Sequence, residues 1–455
     1  MSAIVTDPLK KYYQTLVFNE ISSSTDSNEF FIGIGKSDDY NATDTVVNPV
    51  RTLQEERELR NNLSSIKKIT AQSFVVPRYN WSSGAIYSSW SDNQTGYPTN
   101  SYYVLTEDNE VYICLKQGKS ATGAANTSIV KPSYSDAGVS ETSSFETSDG
   151  YVWKLCYAIS AGKAADFLSA TYMPVQDITI DSSSANTFEL QQLNVQNGST
   201  PGQIIGVEIV DGGTGYTSAP VITFKGNGSG ASATATISGG TIVKVEMDDD
   251  SASLGSGYDF ASATISGTGS LRPIIGPRDG IGKSSINDLK SSSLMFNIRP
   301  DGTEGNTFNV DNDFRQISFL KNLELTDSAA AGPLFKGTSA NTNRYLTLTG
   351  TITASGFAVD EVITGGTSGV TAYIDELDSA NGNKIWFHQN SNNVAGVFTD
   401  GESLSGSASG SGTVDSGDKY STIDIYSGDL LYIENRSRVI RSASQQEDIK
   451  IVITV

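Results

Sequence analysis

The sequence predicts an all-β dominated protein: a layered β-sandwich core with a few peripheral helices and two Gly/Ser-rich β insertions. Three observations lead there. Only 37% of the 455 residues are hydrophobic, whereas glycine is plentiful (44) and charge sparse, which suits many short strands joined by tight turns. Short runs rich in β-branched and aromatic residues ("SFVVPRYNW", "SYYVL", "EVYICL", "DGYVWKLCYAI") recur from residue 73 onward. Two later stretches string such runs between Gly-rich turns and echo themselves.

Along the chain, Asp7 followed by Pro8 starts a short helix over about 7–16, because aspartate caps a helix well and proline fits its first turn. The strand "FFIGI" (30–34) follows. A second helix is expected from Asn48-Pro49 through "EERELRNNLSSIKK", where Leu59, Leu63 and Ile66 recur at helical spacing on a charged background. From 202 to 269, "GTGY" (213–216) returns as "GSGY" (255–258). From 335 to 417, "FAVDEVITGGTSG" at Phe357 is echoed by "FTDGESLSGSASG" at Phe398. Two copies are too few for a solenoid, so both stretches read as small β modules inserted in exposed loops of a parent fold. The expected organisation is 1–200, core with peripheral helices; 201–270, inserted module; 271–334, core continued; 335–417, second inserted module; and 418–455, C-terminal core strands. Leu430 to Ile433 reads as a strand. At the end, Ile449, Ile451, Ile453 and Val455 share one face of another, which is expected to be buried against strands made much earlier. Arg436, Arg438 and Arg441 stand on the connection between the two.

A net charge of −20 repels phosphate backbones, and the arginines are scattered, so nucleic acid is not an expected partner. No apolar run reaches the length of a membrane span, and "MSAI" opens without a basic or apolar leader, so no membrane role and a cytoplasmic origin are expected. Cys114 and Cys156 lie in strand-like apolar runs and are expected to be buried free thiols.

Candidate chemistry is thin. His388 is the only histidine and has no nucleophile motif beside it, so a Ser-His-Asp triad or a histidine metal cluster is not expected. "GNGSG" (226–230) lacks the Lys-Ser/Thr ending of a phosphate loop and leads into a strand, so it reads as a turn. Asp248-Asp249-Asp250 does not alternate its ligands as a calcium loop does, and reads as a solvated acidic turn. Catalytic residues, cofactor and metal are therefore all expected to be absent. The aromatic density is more informative. Tyr79, Trp81, Tyr87, Trp90, Tyr97, Tyr102 and Tyr103 fall within one short stretch of a chain that is 9% aromatic overall. Such rings serve as core or as interface anchors. Tyr79, Trp81, Tyr87, Trp90 and Tyr102, with the three arginines, are the candidate protein-interface residues.

Six stretches, in order and reaching both ends, carry a family resemblance: "FFIGIGKSDDY" (30–40), "VVPRYNW" (75–81), "DGYVWKLCYAI" (149–159), "FRQISFLKN" (314–322), "GDLLYIENR" (428–436) and "EDIKIVITV" (447–455). In these the chain resembles the baseplate wedge subunit of T-even-type contractile-tailed bacteriophages, the product of the eighth tail gene. The resemblance implies a non-enzymatic structural virion protein of the tail baseplate, with a layered β-sandwich. It also implies a homodimer that contacts wedge subunits of the sixth-, seventh- and tenth-gene types. The parent is considerably shorter, and the excess falls in the two inserted modules, whose roles do not carry over. Rival readings are a carbohydrate-binding or host-recognition tail protein, with the aromatic stretch as receptor surface, and a virion glycosidase.

Overall fold

The computed structural model describes residues 4–22, 28–247, 253–304, 307–326, 332–379, 381–442 and 444–454. The protein is all-β dominated, with 38% strand and 13% helix. It divides into two compact units. One comprises Met1–Gln14, Ser73–Met295 and Val452–Val455; the other comprises Thr15–Gln72 and Phe296–Ile451. The expected parent core thus spreads over both, the chain changing unit first near residue 15.

The unit built on Thr15–Gln72 and Phe296–Ile451 contains a five-stranded antiparallel sheet. Its spatial order is Ser339–Asn341, Leu63–Lys68, Phe30–Gly35, Asp313–Lys321 and Asp429–Ile440. Phe30–Gly35 is buried along its whole length. Gly35 is required there, because a Cβ would lie 2.0 Å from the carbonyl oxygen of Asn62. The second expected helix is shorter than its periodicity suggests. It covers only Leu53–Asn62, capped by Thr52, whose hydroxyl accepts from the Glu55 amide. Leu63 and Ile66 belong instead to the strand Leu63–Lys68, packed with Phe31, Leu320 and Leu323. Pairing with Phe30–Gly35 on one side and Ser339–Asn341 on the other outweighs the weak local helix preference of "LSSIKK".

Residues 344–419 close into a six-stranded barrel. Its order is Arg344–Leu348, Lys384–His388, Thr371–Leu377, Val362–Gly365, Ser403–Gly406 and Ser411–Lys419. The sequence echo is its symmetry. One spacing relates Tyr345 to Trp386 and Thr364 to Ser405, and each couple is directly paired across neighbouring antiparallel strands. The flanking pairs exchange accordingly: Arg344 with Phe387 and Leu346 with Ile385, Ile363 with Gly406 and Gly365 with Leu404. Only a pseudo-two-fold axis through both couples produces that pattern. The glutamates of the echo obey it as well. Glu361 accepts from the amides of Ala358 (3.0 Å) and Ala408 (2.7 Å), and Glu402 from those of Thr399 (2.6 Å) and Thr367 (2.9 Å). Each half thus satisfies turn amides of the other half with a buried carboxylate, while Phe357 and Phe398 join the common core.

The other unit holds a four-stranded sheet in the order Tyr103–Leu105, Glu110–Lys116, Val152–Ala158, Ser144–Glu146. Cys114 and Cys156 are free and buried in its two long strands, and burial pushes both thiols up. Residues 204–275 form the first module. It consists of a sheet ordered Thr223–Gly226, Ala261–Thr264, Ser270–Ile275, Ile204–Asp211, with the pairs Ser229–Ala231/Leu254–Ser256 and Ala233–Ser238/Thr241–Met247. Its echo is structural too. The Tyr216 amide donates to Gly240 just before one strand, and the Tyr258 amide to Gly202 just before another. The two rings lie on Gly267 and Gly228, where a Cβ would stand 2.7 and 2.5 Å from ring atoms. The Asp248-Asp249-Asp250 run lies outside the described residues.

The strand Ile449–Thr454 is an outer strand of a sheet ordered Ile449–Thr454, Ser293–Ile298, Ala71–Pro77, Tyr172–Val175. Ile449 and Ile451 are buried, whereas Ile453 is only half-buried, as an edge position allows. Val455 lies outside the described residues. The first helix runs over Asp7–Ser22, longer than expected.

Candidate functional site

The eight candidate interface residues separate into three groups. Tyr87, Trp90 and Tyr102 are buried within their own unit. This corrects their reading as interface anchors, because the chain itself already covers them. Tyr87 meets Trp153 edge-on at 5.6 Å, and its amide donates to the Tyr151 hydroxyl. Tyr102 meets Tyr103 edge-on at 5.1 Å and donates its hydroxyl to the Asp288 carbonyl, while the Trp90 amide donates to Cys114. Tyr79 and Trp81 are half-buried, the first against Tyr103 and the second donating from Nε1 to the Ser128 hydroxyl at 3.1 Å. The stretch is dense in rings because it builds core around a small sheet.

The arginines differ again. Arg436 and Arg438 lie within the strand Asp429–Ile440 and not on a connection, which corrects their expected position. That strand is the edge of the five-stranded sheet, and it bulges there. Phe314 pairs with Val439 and Gln316 with Asn435, so residues 436–438 oppose Arg315 alone. Tyr40 fills the bulge, donating its hydroxyl to the Arg315 carbonyl at 2.5 Å and accepting from the Arg436 amide at 3.1 Å. Burial raises that phenol to about 12. Both arginine side chains are exposed, Arg438 next to Asp313. Arg441 is buried, donating to Glu447 (2.9 Å) and to the Asn309 carbonyl, with its guanidinium 5.1 Å from the Phe308 ring centre. It holds the chain after the edge strand in place, which corrects its reading as a partner contact. Leu431 and Ile440, on the same strand, are exposed with Arg436 and Arg438.

A cluster of buried charge gathers around His388, where sequence reasoning placed no site. His388 is fully buried between two carboxylates. Its Nδ1 is 2.8 Å from Asp375 and its Nε2 3.6 Å from Asp38. Lys36 reaches Asp38 at 3.1 Å, the Ser37 hydroxyl donates to Asp375 at 2.9 Å, and the Asn343 amide donates to it at 2.9 Å. Asn390 donates to both Asp38 (3.0 Å) and Asn62 (2.8 Å), and the Tyr373 ring stacks on the imidazole at 5.4 Å. Burial disfavours the imidazolium, but the charge and hydrogen bond of Asp375, aided by Asp38, prevail and raise it to about 10. Burial likewise disfavours the Asp38 carboxylate, and His388 and Lys36 reverse this, holding it at about 2. Asp375 bridges serine and histidine, so the Ser37 hydroxyl donates to a carboxylate and not to the imidazole, unlike the order of a Ser-His-Asp triad. The arrangement is an ion cluster joining the barrel strands at Asp375 and His388 to the segment that follows Phe30–Gly35. "GKSDDY" and the lone histidine were its only sequence traces.

Among the described residues, no group of three or more His, Cys, Asp or Glu is placed to hold a metal ion. Compared with known proteins, the chain matches no family model and no curated protein.

Proposed function

We propose that this protein is a structural subunit of the tail baseplate wedge of a contractile-tailed bacteriophage. In this reading it forms a homodimer, binds neighbouring wedge subunits of the sixth-, seventh- and tenth-gene types, and is assembled in the host cytoplasm without catalysing a reaction. The observation that carries the reading is the placement of the resembling stretches. Three of them, beginning at Phe30, Phe314 and Gly428, overlap the adjacent strands Phe30–Gly35, Asp313–Lys321 and Asp429–Ile440 of one sheet, and both self-echoing modules lie outside them. Resembling segments that pair in space support the reading of a parent framework with added modules. The exposed edge with Arg436, Arg438, Leu431 and Ile440 is the surface best suited to a neighbouring subunit, since rim charges steer association and specify partners.

The test is the mass of the purified protein by light scattering, followed by its position in an intact tail. A dimer in solution, found inside the baseplate, is expected. A monomer at micromolar concentration, or a location on trimeric tail tips, would contradict the reading.

A further inference from the structure

Between the sheet that contains Glu110–Lys116 and the first module lies a cleft of about 400 Å³. Both walls belong to one unit. Phe145 and Val152 line it from the sheet, Val207 and Ile274 from the module. Protein interiors are close-packed, so apolar walls that stand apart forgo contacts a bound molecule would supply. The volume is in the range of small-ligand sites, about 300–1,000 Å³.

The charges around it indicate what kind of molecule. Lys116 reaches Glu146 at 2.8 Å and Glu246 at 3.0 Å, and Lys244 reaches Glu246 at 2.6 Å. Burial disfavours both charged forms, yet the mutual hydrogen bonds prevail, raising Lys116 and lowering Glu246. These groups are spent on one another and bridge the two walls. Lys119, also in the lining and half-buried, has no carboxylate partner among the described residues. The cleft thus offers apolar side chains beside paired charges and, among the described residues, one cation without a carboxylate partner, in a chain whose net charge is −20.

We propose that this cleft binds a small amphiphile, an apolar chain or ring system bearing one carboxylate, with the apolar body between Phe145 and Ile274 and the carboxylate on Lys119. The probe is decanoate at monomeric concentrations, with decanol and decyltrimethylammonium as neutral and cationic counterparts, titrated calorimetrically into the full chain. One saturable site is expected, with decanoate the tightest of the three. Lys119→Gln should weaken decanoate by about tenfold, the loss of one charge-assisted hydrogen bond, and leave decanol unchanged. Ser89→Trp and Val207→Trp, two substitutions that would fill the cleft from separate lining positions, should abolish both, with circular dichroism showing which variant remains folded. The proposal is overturned by absence of saturable binding, by equal or tighter binding of the cationic probe, or by a Lys119→Gln variant that binds decanoate like the parent. It is also overturned if a folded cleft-filling variant binds decanoate normally, or if filling the cleft changes the protein's mass, which would make a second copy the occupant.

Discussion

The two self-echoing modules are held to their neighbours in opposite ways. Residues 204–275 meet the adjacent sheet across a cleft that the partly solvated Lys116–Glu246 pair spans, flanked by Glu146 on the sheet and Lys244 on the module. The barrel at 344–419 is joined through Asp375, His388 and Asn390 to Lys36, Asp38 and Asn62, all of them buried. A solvated pair contributes roughly 0–1 kcal/mol, whereas removing one member of a buried pair costs about 3–5 kcal/mol because the other charge is stranded. A module's independence therefore depends on how its attachment is solvated. The barrel, read as an insertion in sequence, is expected to behave as a cooperative part of its unit in energy.

The largest expected effect follows from that difference. His388→Ala should destabilise the barrel's attachment by about 3–5 kcal/mol, read as faster amide hydrogen exchange in Lys384–His388 and Thr371–Leu377. Exchange unchanged in both strands would break the contrast. The pH dependence sharpens it. The imidazole is raised in the folded state from 6.5 to about 10, so its contribution is fully present below pH 6.5 and is lost as pH rises toward 10. Asp38 is lowered from 3.8 to about 2, so its contribution is present above pH 3.8 and is lost as pH falls through 2. Thermal melts of the parent should show both slopes, and His388→Ala should lack the alkaline one.

The first module's unit holds a buried carboxyl of the opposite kind. Asp288 accepts from the Gly282 amide at 2.6 Å, but its other oxygen has no partner, and burial raises it from 3.8 to about 7. A raised acid keeps its proton in the folded state after the unfolded chain has lost it, so stability should fall as pH rises from 3.8 to 7 and then level off. Asp288→Asn should remove that slope in melts of the unit. The smallest effect belongs to the cleft: Glu246→Ala should cost roughly 0–1 kcal/mol, and less in high salt, as read from denaturant midpoints with and without added salt. A loss as large as that of His388→Ala would show that solvation does not set the difference.

Features with a local cause were legible in the sequence. The β-rich composition, the free cysteines and the strands around Phe30, Val111 and Trp153 follow from short runs whose residues suit a pleated, buried surface. The echo of Phe357-Glu361 with Phe398-Glu402 was visible, but not that each glutamate serves the other half's turn, because that depends on the two-fold pairing. Leu63 and Ile66 suit a helix face as well as a strand, and only the neighbouring strands decide between them. The aromatic stretch was ambiguous for a similar reason, since rings that build core and rings that anchor partners share one composition. The ion cluster was illegible because Asp38, Asp375 and His388 are far apart in the chain and meet only when the barrel closes beside the sheet. Arg441 shows the same limit: one turn of chain separates it in character from the exposed Arg438, and only its fit against Phe308 and Glu447 reveals a structural role.

The central claim, that buried charge makes the barrel part of its unit, is tested most directly by a double-mutant cycle on Asp38 and His388. Stabilities of the parent, Asp38→Ala, His388→Ala and the double variant, measured by hydrogen exchange in Lys384–His388 at pH 6, should yield a coupling of about 1–3 kcal/mol. Additivity to within roughly 0.5 kcal/mol would mean that the two groups do not act together, and would contradict the account.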